Sequence, residues 1–137
     1  MASDITDSKT EEPQGSGQIL EEWRQYYEII SELKLANITK ILDIRGNHGR
    51  VNSQSYMYIH QKPFGKYSFI GIDACINPGL KRPLNNFGVL NVQTIKLLHL
   101  FSQRSMGSNH TFWFGHYPTS TIVSQGFDLR SLIGSLL

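Results

Sequence analysis

The sequence predicts an α/β fold, and three observations carry that prediction. Stretches with apolar residues at helical spacing alternate with short runs of β-branched and aromatic residues. Two of those runs, "ILDIRG" and "TFWFG", end on a glycine that polar residues follow. The chain has 137 residues, 39% of them hydrophobic and 11% aromatic, which suffices for one ordinary core.

Residues 1–17, "MASDITDSKTEEPQGSG", are polar and acidic and read as a mobile N-terminal segment, leaving 18–137 as the domain. Ile19, Leu20, Trp23, Tyr26, Tyr27, Ile30 and Leu33 then recur at helical spacing. They predict an amphipathic helix over 17–35 with its aromatic stripe in the core. "TKILDIRG" suits a buried strand. "SYMYIH" and "KYSFIGIDA" read as two strands joined across "QKPFGK", a Pro/Gly turn that predicts a hairpin. "NPGLKRPLNNFG" is a long loop broken by Pro78, Gly79, Pro83 and Gly88.

Val92, Ile95, Leu97, Leu98 and Phe101 predict a second helix over 91–104, with Asn91 near its cap. "HTFWFGHYP" is a strand that stops at Gly115, and the tail "GFDLRSLIGSLL" has the spacing of a final helix. The order is helix, strand, two strands, helix, strand, helix. In open sheets of this class, ligands sit just past the carboxyl ends of strands.

Composition removes several classes of function. A net charge of +2 argues for neither nucleic acid nor an anionic lipid surface. No run reaches the roughly 18 apolar residues that span a bilayer, and no signal-peptide pattern opens the chain. The single cysteine, Cys75, makes no internal disulfide and reads as a small buried thiol. "NIT" at Asn37 and "NHT" at Asn109 match the glycosylation sequon.

The chemistry gathers at two strand ends, "ILDIRGNH" and "TFWFGH", each an apolar run, a glycine and then potential metal ligands. Glycine permits a sharp turn and a close backbone approach to an ion. The Asn47 side-chain oxygen and a neutral His116 imidazole suit a divalent ion of the Mn, Fe or Zn kind. "SDITD", from Ser3 to Asp7, adds carboxylates able to bridge two ions. His60, His99 and His110 read as ordinary surface or core histidines. Asp43 and Asp73 read as turn or edge residues, and Lys81 and Arg82 as a solvated loop.

"SDITD", "GNHG" and "GH", in that order, resemble the calcineurin-like metallophosphoesterases, whose ordered motifs are D-x-H, G-D-x-x-D, G-N-H-D/E, G-H and G-H-x-H. The segments "PFGKYSFIGIDACINPGLKRPLNNFGVL" and "NHTFWFGHYPTSTI" are similar to the phosphoesterase region of a membrane-protein branch of that family. The resemblance implies a sandwich of two sheets flanked by helices, present here as an incomplete phosphoesterase domain over 18–137. It implies that Asp4 bridges two metal ions, that Asn47 and His116 bind the second, and that His48 contacts the scissile phosphate and protonates the leaving oxygen. The implied partner is a phosphoester substrate, and the full-length form would be a membrane protein.

Departures from the family pattern are specific. D-x-H would lie before Met1 and G-H-x-H beyond Leu137. Ser3 stands for the usual glycine, and Gly49 for the acid that orients the catalytic histidine. The stretch from Arg50 to "SYMYIH" is short by something like a helix and a turn. The expectation is therefore a truncated or alternatively spliced domain with little or no activity of its own. The alternative is a non-catalytic fragment or pseudoenzyme that acts at most as a weak metal-binding or interaction module.

Overall fold

The computed structural model describes residues 2–3, 20–45, 54–75 and 87–124. In chain order these form β1 (Ala2–Ser3), α1 (Leu20–Glu32), α2 (Leu35–Ile38), β2 (Ile44–Arg45), β3 (Tyr56–Lys62), β4 (Gly65–Ile72) and β5 (Gly88–Leu90). They continue with α3 (Val92–Ser105), β6 (His110–Gly115), a 3-10 turn at Thr119–Thr121 and β7 (Ile122–Ser124). The mixed α/β class read from the sequence holds.

The hairpin is the best-defined unit. β3 and β4 pair antiparallel from Tyr56 opposite Gly71 to Lys62 opposite Gly65, which leaves Pro63 and Phe64 as a two-residue turn. Proline presets its own φ there and has no N–H to lose from the ladder. The other edge of β4 pairs parallel with β6, from Tyr67 opposite His110 to Ile72 opposite Gly115. A parallel neighbour requires a long crossover, and α3 is part of it. Asn91 caps α3, its Oδ1 accepting the Thr94 N–H at 2.8 Å.

Alternation along β4 divides its residues between two faces. Ser68, Ile70 and Ile72 are buried, and Ile95, Leu98 and Phe101 of α3 are buried with the two isoleucines in one cluster. Ala74 and Leu90 complete that core, and Met57, Trp113, Tyr117 and Ile122 pack on its margin. Burying side chains such as Ile70 and Leu98, both at 0% exposure, contributes about 1.5–3 kcal/mol each. The Ser68 hydroxyl, equally buried, is matched by Ser108 Oγ at 2.6 Å. The other face carries Tyr67, Phe69 and Gly71, with Phe69 stacked on Phe112 at 5.1 Å between ring centroids.

Two short strands went unread in the sequence. β5 pairs parallel with β7, Gly88 opposite Ile122, and the Val89 N–H donates to the Ala74 carbonyl at 2.7 Å. Gly88, expected as a loop breaker, thus opens a strand. A Cβ on it would lie 2.8 Å from Tyr117 Cδ2 and 2.9 Å from the Ala74 Cβ, so the close approach excludes any side chain.

Other expectations need correction. The first helix does not run to residue 35: it ends at Glu32, and Lys34 takes the left-handed φ of 49° before α2 begins. Its stripe is not core. Tyr27 and Leu33 are exposed, Trp23, Tyr26 and Ile30 are half-buried, and the three aromatic rings pack largely on one another. Of "TKILDIRG", the ladder takes only Ile44 and Arg45, which pair parallel with Ala2 and Ser3. The polar N-terminal segment therefore carries a strand that its composition does not announce. Cys75 is half-buried rather than buried. The tail helix expected at 126–137 and most of the 77–88 loop lie outside the described residues.

Candidate functional site

His116 follows Gly115, the last residue of β6, which sits opposite Ile72, the last residue of β4. The imidazole is half-buried, and the Tyr117 ring meets it edge-on at 5.1 Å and 84°. Tyr117 in turn lies against Gly88 at the start of β5. His116 is therefore held between a strand end and an anchored aromatic ring. A cavity of about 100 Å³ opens at the same strand ends, lined by Ile72, Ala74, Phe114, Gly115 and Tyr117 among others.

Asp4, Asn47 and His48, together with Gly49, lie outside the described residues. The strands that lead into them are described. β1 and β2 run parallel with Ser3 opposite Arg45, so in sequence "DITD" and "GNH" follow directly on the carboxyl ends of adjacent strands.

One residue ties that pair of strands to the larger sheet. Tyr56, at the start of β3, donates its hydroxyl to the Asp43 carbonyl at 2.7 Å. Its ring lies over Gly71, where a Cβ would come within 2.8 Å of Tyr56 Cε1, and meets Phe114 edge-on at 6.0 Å. Phe114 is two residues before His116. The chain entering Asn47 and the chain entering His116 are thus linked through a single tyrosine.

The Asp43 carboxylate is fixed from a second side. Tyr26 of α1 donates to its Oδ2 at 2.6 Å. Both tyrosines are held protonated beyond the usual phenol range. Tyr56 is pushed up to about 12, first by burial and then by the negative charge of Asp43. Tyr26 is raised further, by burial, by its hydrogen bond to Asp43 and by that carboxylate's charge. Both therefore remain donors over the whole neutral range. The second Asp43 oxygen, Oδ1, is buried with no hydrogen-bond partner among the described residues. Asp43 was expected at a turn or edge; it sits just before β2 as the acceptor that joins α1 to the strand.

Asp73, just past β4, is 7% exposed and turns its carboxylate back to accept the Cys75 N–H at 2.9 Å. His60 stacks on Tyr58 and His110 on Tyr67, while His99 is exposed on α3. None of these three lies at the carboxyl ends of β4 or β6. Lys81 and Arg82 lie outside the described residues. Among the described residues no three His, Cys, Asp or Glu side chains gather as a metal cluster. Sequence reasoning passed over Tyr26 and Tyr56; the available signal was a phenol, with its polar tip, at two positions otherwise patterned as apolar.

No family model matches the chain, and no solved structure matches it. Transmembrane protein 62 of Mus musculus is 41% identical over 151 residues, taking in 96% of this chain and 24% of the relative. The two are homologous, and this chain spans about a quarter of the relative's length. The aligned span of 151 residues exceeds the 137 of this chain, so the relative carries internal residues that this chain lacks. No helix among the described residues is long and apolar enough to cross a membrane.

Proposed function

We propose that this chain, as a homologue of transmembrane protein 62, is part of a calcineurin-like, metal-dependent phosphoesterase domain, and that alone it binds a divalent ion weakly and turns over little or no substrate. The observation that supports this best is the placement of the motifs in sequence directly after strands: Asp4 follows β1, "GNH" follows β2 and His116 follows β6, with Tyr56 bonded to the Asp43 carbonyl before β2 and packed on Phe114 of β6.

The donor set fits the chemistry. Asp4 offers a carboxylate, Asn47 an amide oxygen and His116 an imidazole, a mixture suited to Mn, Fe or Zn. A divalent ion held there supplies Lewis-acid polarisation of a phosphoryl oxygen. His48 gives a proton to the leaving oxygen, a role that requires it charged and oriented. Gly49 supplies no carboxylate to do either. By the resemblance, a two-metal site draws ligands from all five motifs, and the residues of this chain that match them as ligands are Asp4, Asn47 and His116. That partial set favours weak single-ion binding, and it is what a non-catalytic module would also show. In a full-length form the domain would be attached to a membrane, as the relative's name implies for that protein.

The test combines calorimetry with Mn²⁺ and turnover of bis(p-nitrophenyl) phosphate. One weakly bound ion per chain is expected, with binding lost in His116→Ala and in Asn47→Ala, and no turnover above buffer. Gly49→Asp alone restores none, because orienting His48 does not supply the missing ligands. Tight binding of two ions, or turnover abolished by His116→Ala, would show a complete site. No binding at all would remove the metal reading.

A further inference from the structure

Among the described residues β3 is an edge strand, and the hydrogen bonds of its neighbour show which backbone groups it leaves outside the ladder. The Lys66 N–H donates to Asn109 Oδ1 and the Lys66 carbonyl accepts the Asn109 N–H, each at 2.8 Å, so Lys66 faces β6. Backbone direction alternates along a strand, so Gly65, Tyr67, Phe69 and Gly71 face β3. Their partners Lys62, His60, Tyr58 and Tyr56 spend their backbone groups on β4. Met57, Ile59 and Gln61 therefore direct their N–H and C=O groups outward, where no described residue takes them.

Natural edges are blunted by charges, proline or a bulge. β3 has neither proline nor bulge: its seven residues pair without interruption, and its one charged side chain, Lys62, stands at the last position. At its centre is Ile59, apolar and 41% exposed. Pairing about a two-fold at Ile59 sets Ile59 against its own copy, Met57 against Gln61, Tyr58 against His60 and Tyr56 against Lys62. Every outward backbone group then meets a partner, and the two Ile59 side chains cover each other. The two Lys62 charges end about 20 Å apart, beyond the Debye length at physiological salt. Moving the two-fold to Gln61 would instead set Ile59 against Pro63, which has no N–H to give.

We propose that β3 pairs antiparallel with β3 of a second copy about a two-fold at Ile59, joining two three-stranded sheets into one continuous sheet. Such a contact is isologous and closes on itself, so it gives a dimer and no open chain of copies. It uses the sheet edge opposite β6 and does not depend on the metal reading. A single strand pair falls at or below the low end of a standard interface, about 1,200 Å². The dimer is therefore reversible, and its population rises with concentration.

Sedimentation of the full chain should show a monomer–dimer equilibrium that shifts toward dimer as concentration rises. Ile59→Lys opposes two charges at the two-fold and should weaken dimerisation by on the order of tenfold or more. Met106→Lys adds the same charge just past α3, at a position 80% exposed, and should leave dimerisation unchanged. A second pair of variants reads the register, on a Cys75→Ser background. Ile59→Cys sets its two copies about 5.5 Å apart between Cα atoms, within disulfide reach. Gln61→Cys leaves its two copies about 14 Å apart, out of reach. Under mild oxidation Ile59→Cys should cross-link two chains on the order of tenfold faster than Gln61→Cys. A chain that stays monomeric at every concentration, a dimer that Ile59→Lys leaves intact, or equal cross-linking of the two cysteine variants would each overturn the proposal.

Discussion

Tyr56 carries three constraints with one side chain: its hydroxyl on the Asp43 carbonyl, its ring on Gly71 and its edge toward Phe114. Tyr56→Phe keeps the ring and removes the 2.7 Å hydrogen bond, so urea denaturation should show a loss of about 1 kcal/mol. Gly71→Val should cost more, because its Cβ displaces a ring rather than a flexible chain end. The phenols also set an alkaline limit. Unfolded tyrosine ionises near pH 10, whereas folded Tyr56 holds its proton to about 12 and Tyr26 beyond that. Above pH 10 the unfolded chain binds fewer protons, so stability is complete below that pH and falls as pH rises toward 12. Stability measured from pH 8 to 11.5 should be flat and then decline, with a shallower decline in Tyr56→Phe. At this scale the sequence was half legible. Asp43 could be flagged as a polar residue within an apolar run, but its partners come from residues 13 and 17 positions away, and no local pattern joins them.

Elements with their own local signals were read well. The hairpin has Pro63 in its turn and Gly65 just after it, and α3 has Asn91 at its cap and a full apolar stripe. Asn91→Ala should cost about 1 kcal/mol, seen as a fall in the urea midpoint at constant m-value. Lys34 marks the reverse case, a non-glycine residue in the left-handed region. Lys34→Gly should stabilise the chain by about 1 kcal/mol in the same assay, since glycine meets no Cβ penalty there. Elements without local signals were missed. β5 and β7 are three residues each, too short for alternation to register, and each exists as a strand because the other is beside it. β1 is two residues of "MASD" recruited by β2. Strand pairing over long sequence separations decided all three.

Among the described residues a small core is accompanied by many exposed large apolar side chains. Ile38, Phe64 and Met106 are each more than 70% exposed, and among the described residues β3 and β6 are the edges of their sheet. Open edges and exposed apolar side chains favour self-association. Purified alone, the chain should aggregate or unfold below about 55 °C, inside the usual mesophile range. A cooperative monomeric transition above that temperature would show a self-sufficient domain.

The central proposal is that the residues after β1, β2 and β6 share a single metal position. Paramagnetic broadening by Mn²⁺ in the amide spectrum of the full chain tests it most directly. Substoichiometric Mn²⁺ should broaden Ser3, Arg45, Ile72 and Gly115 first, and His116→Ala should remove the effect at all four together. Broadening centred on His60 and His110, or confined to one strand end and indifferent to His116→Ala, would contradict the claim.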